Sequence, residues 1–382
     1  MTNQAKLPPE WYRIAERAIG LSEPNPRVGC WLKLLDGRLF EGFTQRAGGA
    51  HAEVHAIEHA LAAGADLRGS TAFVTLEPCS HYGRTPPCCD ALIAAGISKV
   101  VIAATDPNPM VAGRGMARLE SGGIAVELLS ADCDAARASR ELNIGFFSRM
   151  IRGTPWVRLK VAGSLDGTTA LENGASQWIT GESARQDGQN WRKRACAVLT
   201  GIGTVMQDNP RLDVRMDGMT RQPHLVIVDS DLNTPPSARL FEAADNGLPR
   251  QVWIYHSTLS TEKQALLARR GTLLVHMPGA NQKVNLPGML RDLAKREVNE
   301  LHVEAGHKLN GSLLREDLVD EVLLYLAPKL LGQGARLSSF GPIKQLQDGI
   351  QLGFSSVEQV GEDLRILARV QGKDAFLEAG PG

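Results

Sequence analysis

Three side chains with affinity for a metal follow one another early in the chain: His51, Cys79 and Cys88. His51 opens "HAEVHAIEHA", Cys79 follows a proline in "STAFVTLEPCSH", and Cys88 starts "CCDALIAAG". If one ion takes all three, the start of one helix, the end of a strand and the start of a second helix must converge on a point. No other feature of the sequence restricts the fold as tightly. One imidazole and two thiolates form a three-ligand set for zinc, leaving a fourth tetrahedral position for water, whose pKa zinc lowers to about 7. At a helix start, Cys88 also lies where the helix dipole favours thiolate. On these residues alone a closed structural site remains an alternative, with a fourth ligand from His81, Cys89 or His55.

Spacing sorts the neighbours. His55 and His59 follow His51 at i+4 and i+8 and read as packed or solvated residues one and two turns farther along the helix. Cys89 points about 100° away from Cys88 and reads as a small core residue, and Cys30, Cys133 and Cys196 read as buried thiols. A metalloprotease would need H-E-x-x-H, and "HAEVH" has its glutamate elsewhere. Glu53 is two residues from His51, is not a ligand, and suits proton transfer to a leaving amine. His-x-Glu followed by Pro-Cys is the zinc-deaminase pattern, except that eight residues separate Cys79 from Cys88 where that pattern has two.

A length of 382 residues suggests two domains and leaves room for a third. Lysine plus arginine (42) equals aspartate plus glutamate (42), so nothing draws the chain broadly to nucleic acid or anionic membrane. No apolar run approaches the roughly 20 residues of a membrane span. "MTNQAKLPPEWYRIAERA" lacks a signal-peptide core, so a cytoplasmic protein with reduced thiols is expected.

Strand and helix patterns alternate throughout, which is the α/β signature. The first part reads as a hairpin turning at Asp36-Gly37, a helix ending near Gly64, a strand in "STAFVTLEP" and a helix from Cys88 to Gly96. "SKVVIAA", a helix around residues 116–121, "IAVELL" and one helix over 133–149 follow. The pattern restarts at "RGTPWVRLK", which predicts domains 1–151 and 152–382. In the second, "HLVIVDS", "QVWIYH", "TLLVHM", "ELHVEAG", "VDEVLLYLA" and "DLRILARVQG" read as strands, with a helix over 287–297. "ELHVEAGHKLNGSLL" predicts a strand, a loop with Gly306 and Gly311, then a helix, an order that can cradle phosphate. Neither a P-loop nor a Rossmann fingerprint is present. Lys160, Arg192, Arg211 and Arg215 are candidate phosphate-binding cations.

"PNPRVG", "HAEVHAIE", "TLEPCSHYGRTPPCCDALIAAGI" and "DPNPMVAGRG" together resemble the deaminase half of the bifunctional riboflavin-biosynthesis deaminase/reductases. The resemblance implies a cytidine-deaminase-like three-layer α/β/α domain with zinc on His51, Cys79 and Cys88 and Glu53 as the catalytic carboxyl. It implies deamination of 2,5-diamino-6-(5-phosphoribosylamino)pyrimidin-4-one, with Asn25, His81, Arg84 and Thr85 on the substrate side. Members usually carry a histidine seven residues before the zinc histidine. Thr44 stands there in this chain, which removes one expected polar contact.

"VRLKVAGSLDG", "GASQWITG", "WRKRACAVLTGIGTVMQDNPRLDVR", "VIVDS", "HVEAG" and "LVDEVLLYLAPKLLG" resemble the reductase half in the same order. That implies a dihydrofolate-reductase-like α/β domain that uses NADPH to reduce the ribosyl group of 5-amino-6-(5-phosphoribosylamino)uracil to ribityl. Ala162, Trp178, Thr204, Asp208, Ser230, Gly306, His307, Lys308, Leu309, Asn310, Gly311 and Ser312 are implied on the cofactor side. Ser176, Arg192, Leu212, Arg215 and Glu304 are implied on the substrate side, with Lys160 and Asp166 near hydride transfer. Arg192 and Arg215 suit a two-armed phosphate clamp. The expected partners are small phosphorylated pyrimidines and a second copy of the chain, joined through the reductase domain. Two other classes stay open: a nucleic-acid base deaminase with an unrelated appended domain, and a non-catalytic zinc-stabilised binding protein. Against the first stand the neutral charge and the lack of a basic stretch interleaved with aromatics.

Overall fold

Asp36 and Gly37 turn the chain between β1 (Gly29–Lys33) and β2 (Leu39–Phe43), which pair antiparallel. Gly37 takes φ of +90°, a region L side chains resist, and Asp36 Oδ1 accepts from Arg38 N at 3.0 Å. Helix α1 (Ala52–Ala62) packs against this hairpin. A Cβ on Gly42 would meet Ala52 O at 2.3 Å and Ala56 N at 2.4 Å, so only a bare glycine lets the helix lie flush on β2.

The computed structural model describes residues 7–378. The chain forms two units, Met1–Gly153 with Ala375–Gly382, and Thr154–Asp374. In the first, β1 also pairs antiparallel with β3 (Thr71–Val74). The chain then runs through α2 (Cys88–Ala94), β4 (Lys99–Ile102), α3 (Arg114–Ser121) and β5 (Ala125–Leu128), with β3, β4 and β5 parallel. The sheet order is β2-β1-β3-β4-β5. Leu32, Val74, Leu76, Leu92, Ile102 and Leu119 fill its core.

The single helix expected over 133–149 is two: α4 (Asp134–Leu142) and α5 (Ile144–Arg152). Asn143 breaks it, with non-helical φ −104° and ψ 17°. Its buried amide accepts from Arg27 N at 2.7 Å and donates to Arg27 O at 2.9 Å. A distant backbone segment gains its partners there, and the helix loses its continuity. The last turn of this unit, Ala375–Leu377, places Phe376 under the Arg152 guanidinium, 4.9 Å from the ring centre.

The second unit begins with β6 (Trp156–Ser164), β7 (Thr168–Leu171), α6 (Glu182–Arg194), β8 (Ala197–Gly201), α7 (Ile202–Asp208) and β9 (His224–Val228). It continues through β10 (Val252–His256), α8 (Thr261–Ala268), β11 (Leu273–His276), α9 (Leu286–Lys295), β12 (Glu300–Val303) and α10 (His307–Arg315). It closes with β13 (Glu321–Ala327), β14 (Gly334–Arg336), β15 (Leu352–Val360) and β16 (Asp363–Val370). Nine strands form one sheet in the order β11-β10-β9-β8-β12-β6-β13-β16-β15, while β14 and β7 pair separately. The strands from β11 to β13 are parallel, and β16 and β15 are antiparallel additions. β8 and β10 are buried at every residue, as expected of parallel strands covered on both faces.

Charge crosses this core in an ordered way. Arg158 of β6, 3% exposed, donates to Glu300 of β12 at 2.8 Å and to Glu321 of β13 at 2.6 Å. Arg194 of α6 also donates to Glu300, at 2.8 Å. Among the described residues no helix is long and apolar enough to cross a membrane.

Gly42→Ala should destabilise the first unit by about 1–3 kcal/mol, the usual cost of overpacking. Scanning calorimetry would show an earlier melting transition, and an unshifted one would mean that helix and hairpin are not in close contact.

Candidate active sites

Strand β3 ends before Pro78, and the chain then delivers Cys79 beside His51, the residue that caps α1 with φ −74° and ψ 169°. Cys88 arrives as the first residue of α2. His51 Nδ1 lies 3.6 Å from Cys79 Sγ and 3.3 Å from Cys88 Sγ, and the three ligand atoms all fall within 4.8 Å of one another. Two sulfurs and one imidazole nitrogen at this spacing fit a zinc ion, and His51 would bind through Nδ1. Cys88 N donates to Cys79 Sγ at 3.3 Å. The Cys88 thiol, above all, holds Cys79 down to about 4 against the opposing effect of burial, with His51 assisting, while Cys88 is pushed up. One thiolate is therefore ready at neutral pH.

Glu53 is 3% exposed in the first turn of α1. Burial, then the Cys79 thiolate, push its carboxyl up to about 7. Such a group can both take and give a proton near neutrality. Of the three histidines spaced four apart, only His51 turns to the sulfurs. His55 Nδ1 meets Phe43 N at 3.3 Å and His59 Nδ1 meets Glu41 O at 3.0 Å, so both fasten α1 to β2. Cys89, fully buried, donates to Pro78 O and Gly115 O, away from the other sulfurs.

The segment after Cys79 carries His81, Arg84 and Thr85. His81 Nδ1 is buried without a partner, Arg84 is exposed, and Asn25 is half-buried. Thr44 is 2% exposed, and its hydroxyl accepts from Val28 N at 3.1 Å. At this position the chain has a backbone tie. The motifs did not reveal Glu77. Its carboxylate takes four backbone N–H groups, from Asp106, Gly113, Gly115 and Met116 at 2.9–3.3 Å, and so binds the start of α3 to the residue before Pro78. Only the position of Glu77 beside Pro-Cys hinted at this, because its partners lie 29 to 39 residues away.

The second unit holds a cleft of about 1270 Å³. It opens where the carboxyl ends of β8 and β12 meet β6 and β13, the usual ligand position in such sheets. That volume exceeds a typical single-ligand pocket and suits a nucleotide together with a substrate. Lys160, Ser176, Arg192, Leu212, Arg215 and Glu304 all line it. Ala162, Trp178, Thr204, Asp208, Gly306, His307 and Asn310 line it as well. Gly306 caps α10 without a side-chain bond, which leaves N–H groups of the first turn for a phosphate. A Cβ on Gly306 would sit 3.8 Å from Thr204 Oγ1, so β8 and β12 bring their ends together here. These features fit a dinucleotide.

The remaining cofactor-side candidates, and Asp166, expected near hydride transfer, are not among the residues that line the cleft. Helix α10 already starts at His307, so the expected loop is shorter than the sequence suggested. Leu309 packs on the apolar core, Lys308 is exposed, and Ser312 bonds back to Lys308 O at 3.1 Å. A Cβ on Gly311 would meet Ser339 O at 1.8 Å, so this glycine serves close packing. Ser230 lies just past β9, where its carbonyl accepts from Ser257 N and Thr258 N. Asp166 is spent on Ser164 Oγ and on the backbone N–H groups of Leu331 and Gly332, which together hold it down to about 2.

Electrostatics single out the floor of the cleft. Glu304 accepts both Arg192 Nε and Arg192 Nη2, the latter at 2.9 Å, with Lys160 Nζ at 3.8 Å and His302 Nε2 at 3.4 Å. Burial would raise its carboxyl, but Arg192 overrides it, aided by Lys160 and His302, and holds Glu304 well below the carboxylate range. Lys160 is lowered, by burial first and then by Arg192, against the pull of Glu304. Arg192 thus has its fork committed to Glu304, while Arg215 remains 49% exposed with one bond to Asp213, at 2.8 Å. Tyr325, also on the floor, donates to Asp187 of α6 at 2.6 Å. The sequence gives no local signal of that pair.

Residues 155–366 match the family model of the RibD C-terminal domain, and residues 1–104 match the cytidine and deoxycytidylate deaminase zinc-binding region. The riboflavin biosynthesis protein RibD of Escherichia coli (strain K12) is 41% identical over 368 residues, covering 92% of this chain and 95% of that protein. The Haemophilus influenzae protein of the same name is 40% identical over 374 residues, covering 92% and 94%. Among solved structures, Acinetobacter baumannii RibD, form 1, superposes with a TM-score of 0.82 at 38% identity, covering 94% and 96%. A Thermotoga maritima diaminohydroxyphosphoribosylaminopyrimidine deaminase/5-amino-6-(5-phosphoribosylamino)uracil reductase reaches 0.80 at 31% identity, again covering 94% and 96%. The likeness runs through both units, which overturns an unrelated appended domain.

Metal analysis should find one zinc per chain, lost in Cys79→Ser and Cys88→Ser and kept in Cys89→Ser. Loss of zinc in the last variant would make Cys89 a ligand and the site closed.

Proposed function

The chain belongs to the RibD family of riboflavin-biosynthesis proteins, and from that premise we propose which residues carry its two reactions. It is a bifunctional enzyme, a zinc-dependent deaminase in a cytidine-deaminase-like unit and an NADPH-dependent reductase in a dihydrofolate-reductase-like unit. The observation that carries the reading is the convergence of His51, Cys79 and Cys88 beside a buried carboxyl held near neutrality.

The first substrate is the diaminopyrimidinone ribosyl phosphate, which loses its 2-amino group. Zinc on the three ligands supplies Lewis acidity, making water a competent nucleophile near neutral pH. Glu53 takes a proton from the attacking water and hands it to the departing amino group as the C–N bond breaks and ammonia leaves. His81, with its orphan Nδ1, and Asn25 meet the pyrimidine, and Arg84 meets the phosphate end.

The second substrate is the deaminated aminouracil ribosyl phosphate. NADPH supplies the hydride. Reduction to ribityl breaks the C1′–O4′ bond, so O4′ needs a proton as C1′ gains hydride. Lys160 is the donor, because burial and Arg192 make its ammonium more acidic than a free lysine. Glu304 cannot donate, since Arg192 keeps it ionised, and it orients the substrate instead. Arg215 is the exposed arm for the phosphate.

The reductase units pair as a homodimer through β15, where Leu352, Phe354 and Val357 are 45%, 74% and 54% exposed. A solvent-facing apolar strip on an edge strand is otherwise an aggregation hazard. A cytoplasmic setting is supported by six unpaired cysteines.

Mass spectrometry of products, with and without NADPH, tests the pair of reactions. Deamination alone is expected without NADPH, and deamination plus reduction with it. Glu53→Gln should keep zinc and lose deamination by about 10²–10⁴-fold, the range for a general acid–base, while reduction of pre-deaminated substrate continues. Full deamination in that variant would remove Glu53 from the mechanism. Phe354→Glu should give monomers in sedimentation, and an unchanged mass would place the dimer contact elsewhere.

A further inference from the structure

The imidazole of His51 presents its two nitrogens to different partners. Nδ1 faces Cys79 Sγ and Cys88 Sγ, at 3.6 and 3.3 Å. Nε2 lies 3.3 Å from Thr85 Oγ1. Only a bare lone pair binds a metal, so a metal on Nδ1 requires the ring proton on Nε2. The Nε2–H then points to the threonine hydroxyl, which accepts it. Such a bond fixes the tautomer and the ring angle of a ligating histidine and raises its basicity.

Thr85 also belongs to the segment after Cys79 that carries His81 and Arg84. Within it, Gly83 N donates to Thr85 O at 3.3 Å, and a Cβ on Gly83 would touch the His81 ring at 3.7 Å. One hydroxyl therefore joins a metal ligand to the segment that presents the orphaned His81 nitrogen.

We propose that Thr85 is a positioning residue for the metal site: it holds His51 with Nδ1 toward the sulfurs and couples metal retention to the seating of residues 80–86. The inference rests on the zinc reading of the first unit and assigns Thr85 a task that does not need substrate. A residue that only touched substrate would change KM and leave zinc affinity alone.

The test uses the full chain loaded with zinc and a competing chromophoric chelator, in the absence of substrate. Thr85→Val keeps the shape and removes the acceptor. It should weaken zinc binding about 10- to 100-fold, the usual effect of losing such a partner, and Thr85→Ser should restore it to within a few-fold of the parent. A parent-like far-UV circular dichroism spectrum and a parent-like pattern of limited proteolysis within the first unit report that each variant is folded. Parent-like zinc affinity in Thr85→Val overturns the inference and leaves the zinc site standing. A parent protein that takes up no zinc overturns both.

Discussion

A charged side chain cannot be buried alone, and the second unit is arranged around that constraint. Glu304, Glu300 and Glu321 each meet an arginine in the interior, and the arginines come from β6 and α6. Helix α6 has few buried residues of its own, Ala184 and Gln189, so its docking is directional and owes much to Arg192 and Arg194. Breaking one partner from such a network costs about 3–5 kcal/mol, which makes the alignment of helix and sheet unforgiving. The cleft inherits that alignment. Lys160 sits at the end of the row, where burial and a neighbouring guanidinium leave its proton easier to release.

The first unit applies the same rule with a partner that is not an amino acid. His51, Cys79 and Cys88 bring three donors together. A divalent ion stands to these donors as Arg192 stands to Glu304. Their convergence depends on unremarkable packing: bare Gly42 under α1, the clamp of Glu77 on α3, and the two helix histidines tied to β2.

The chemistry of the first site was legible in the sequence because its residues are close in the chain and each stands at the end of a predictable element. The hairpin at Asp36-Gly37 was legible for similar local reasons. What escaped were effects of distant partners. Asn143 splits a helix because Arg27, 116 residues away, needs its amide. Arg192 looked like a phosphate arm, and only the fold shows Glu304 filling its fork. Gly311 suggested a loop, but it is a glycine because Ser339 crosses α10 there. Strand β15 carries little burial along its length, so no alternation announced it.

After Asp374 the described chain returns to the first unit, where the Ala375–Leu377 turn places Phe376 beneath Arg152. In chain order the second unit therefore lies between two segments of the first. Gene fission at residue 153 would yield a deaminase lacking its final turn. A clean separation needs two cuts, or a circular permutation that returns the Ala375–Leu377 turn to its own unit.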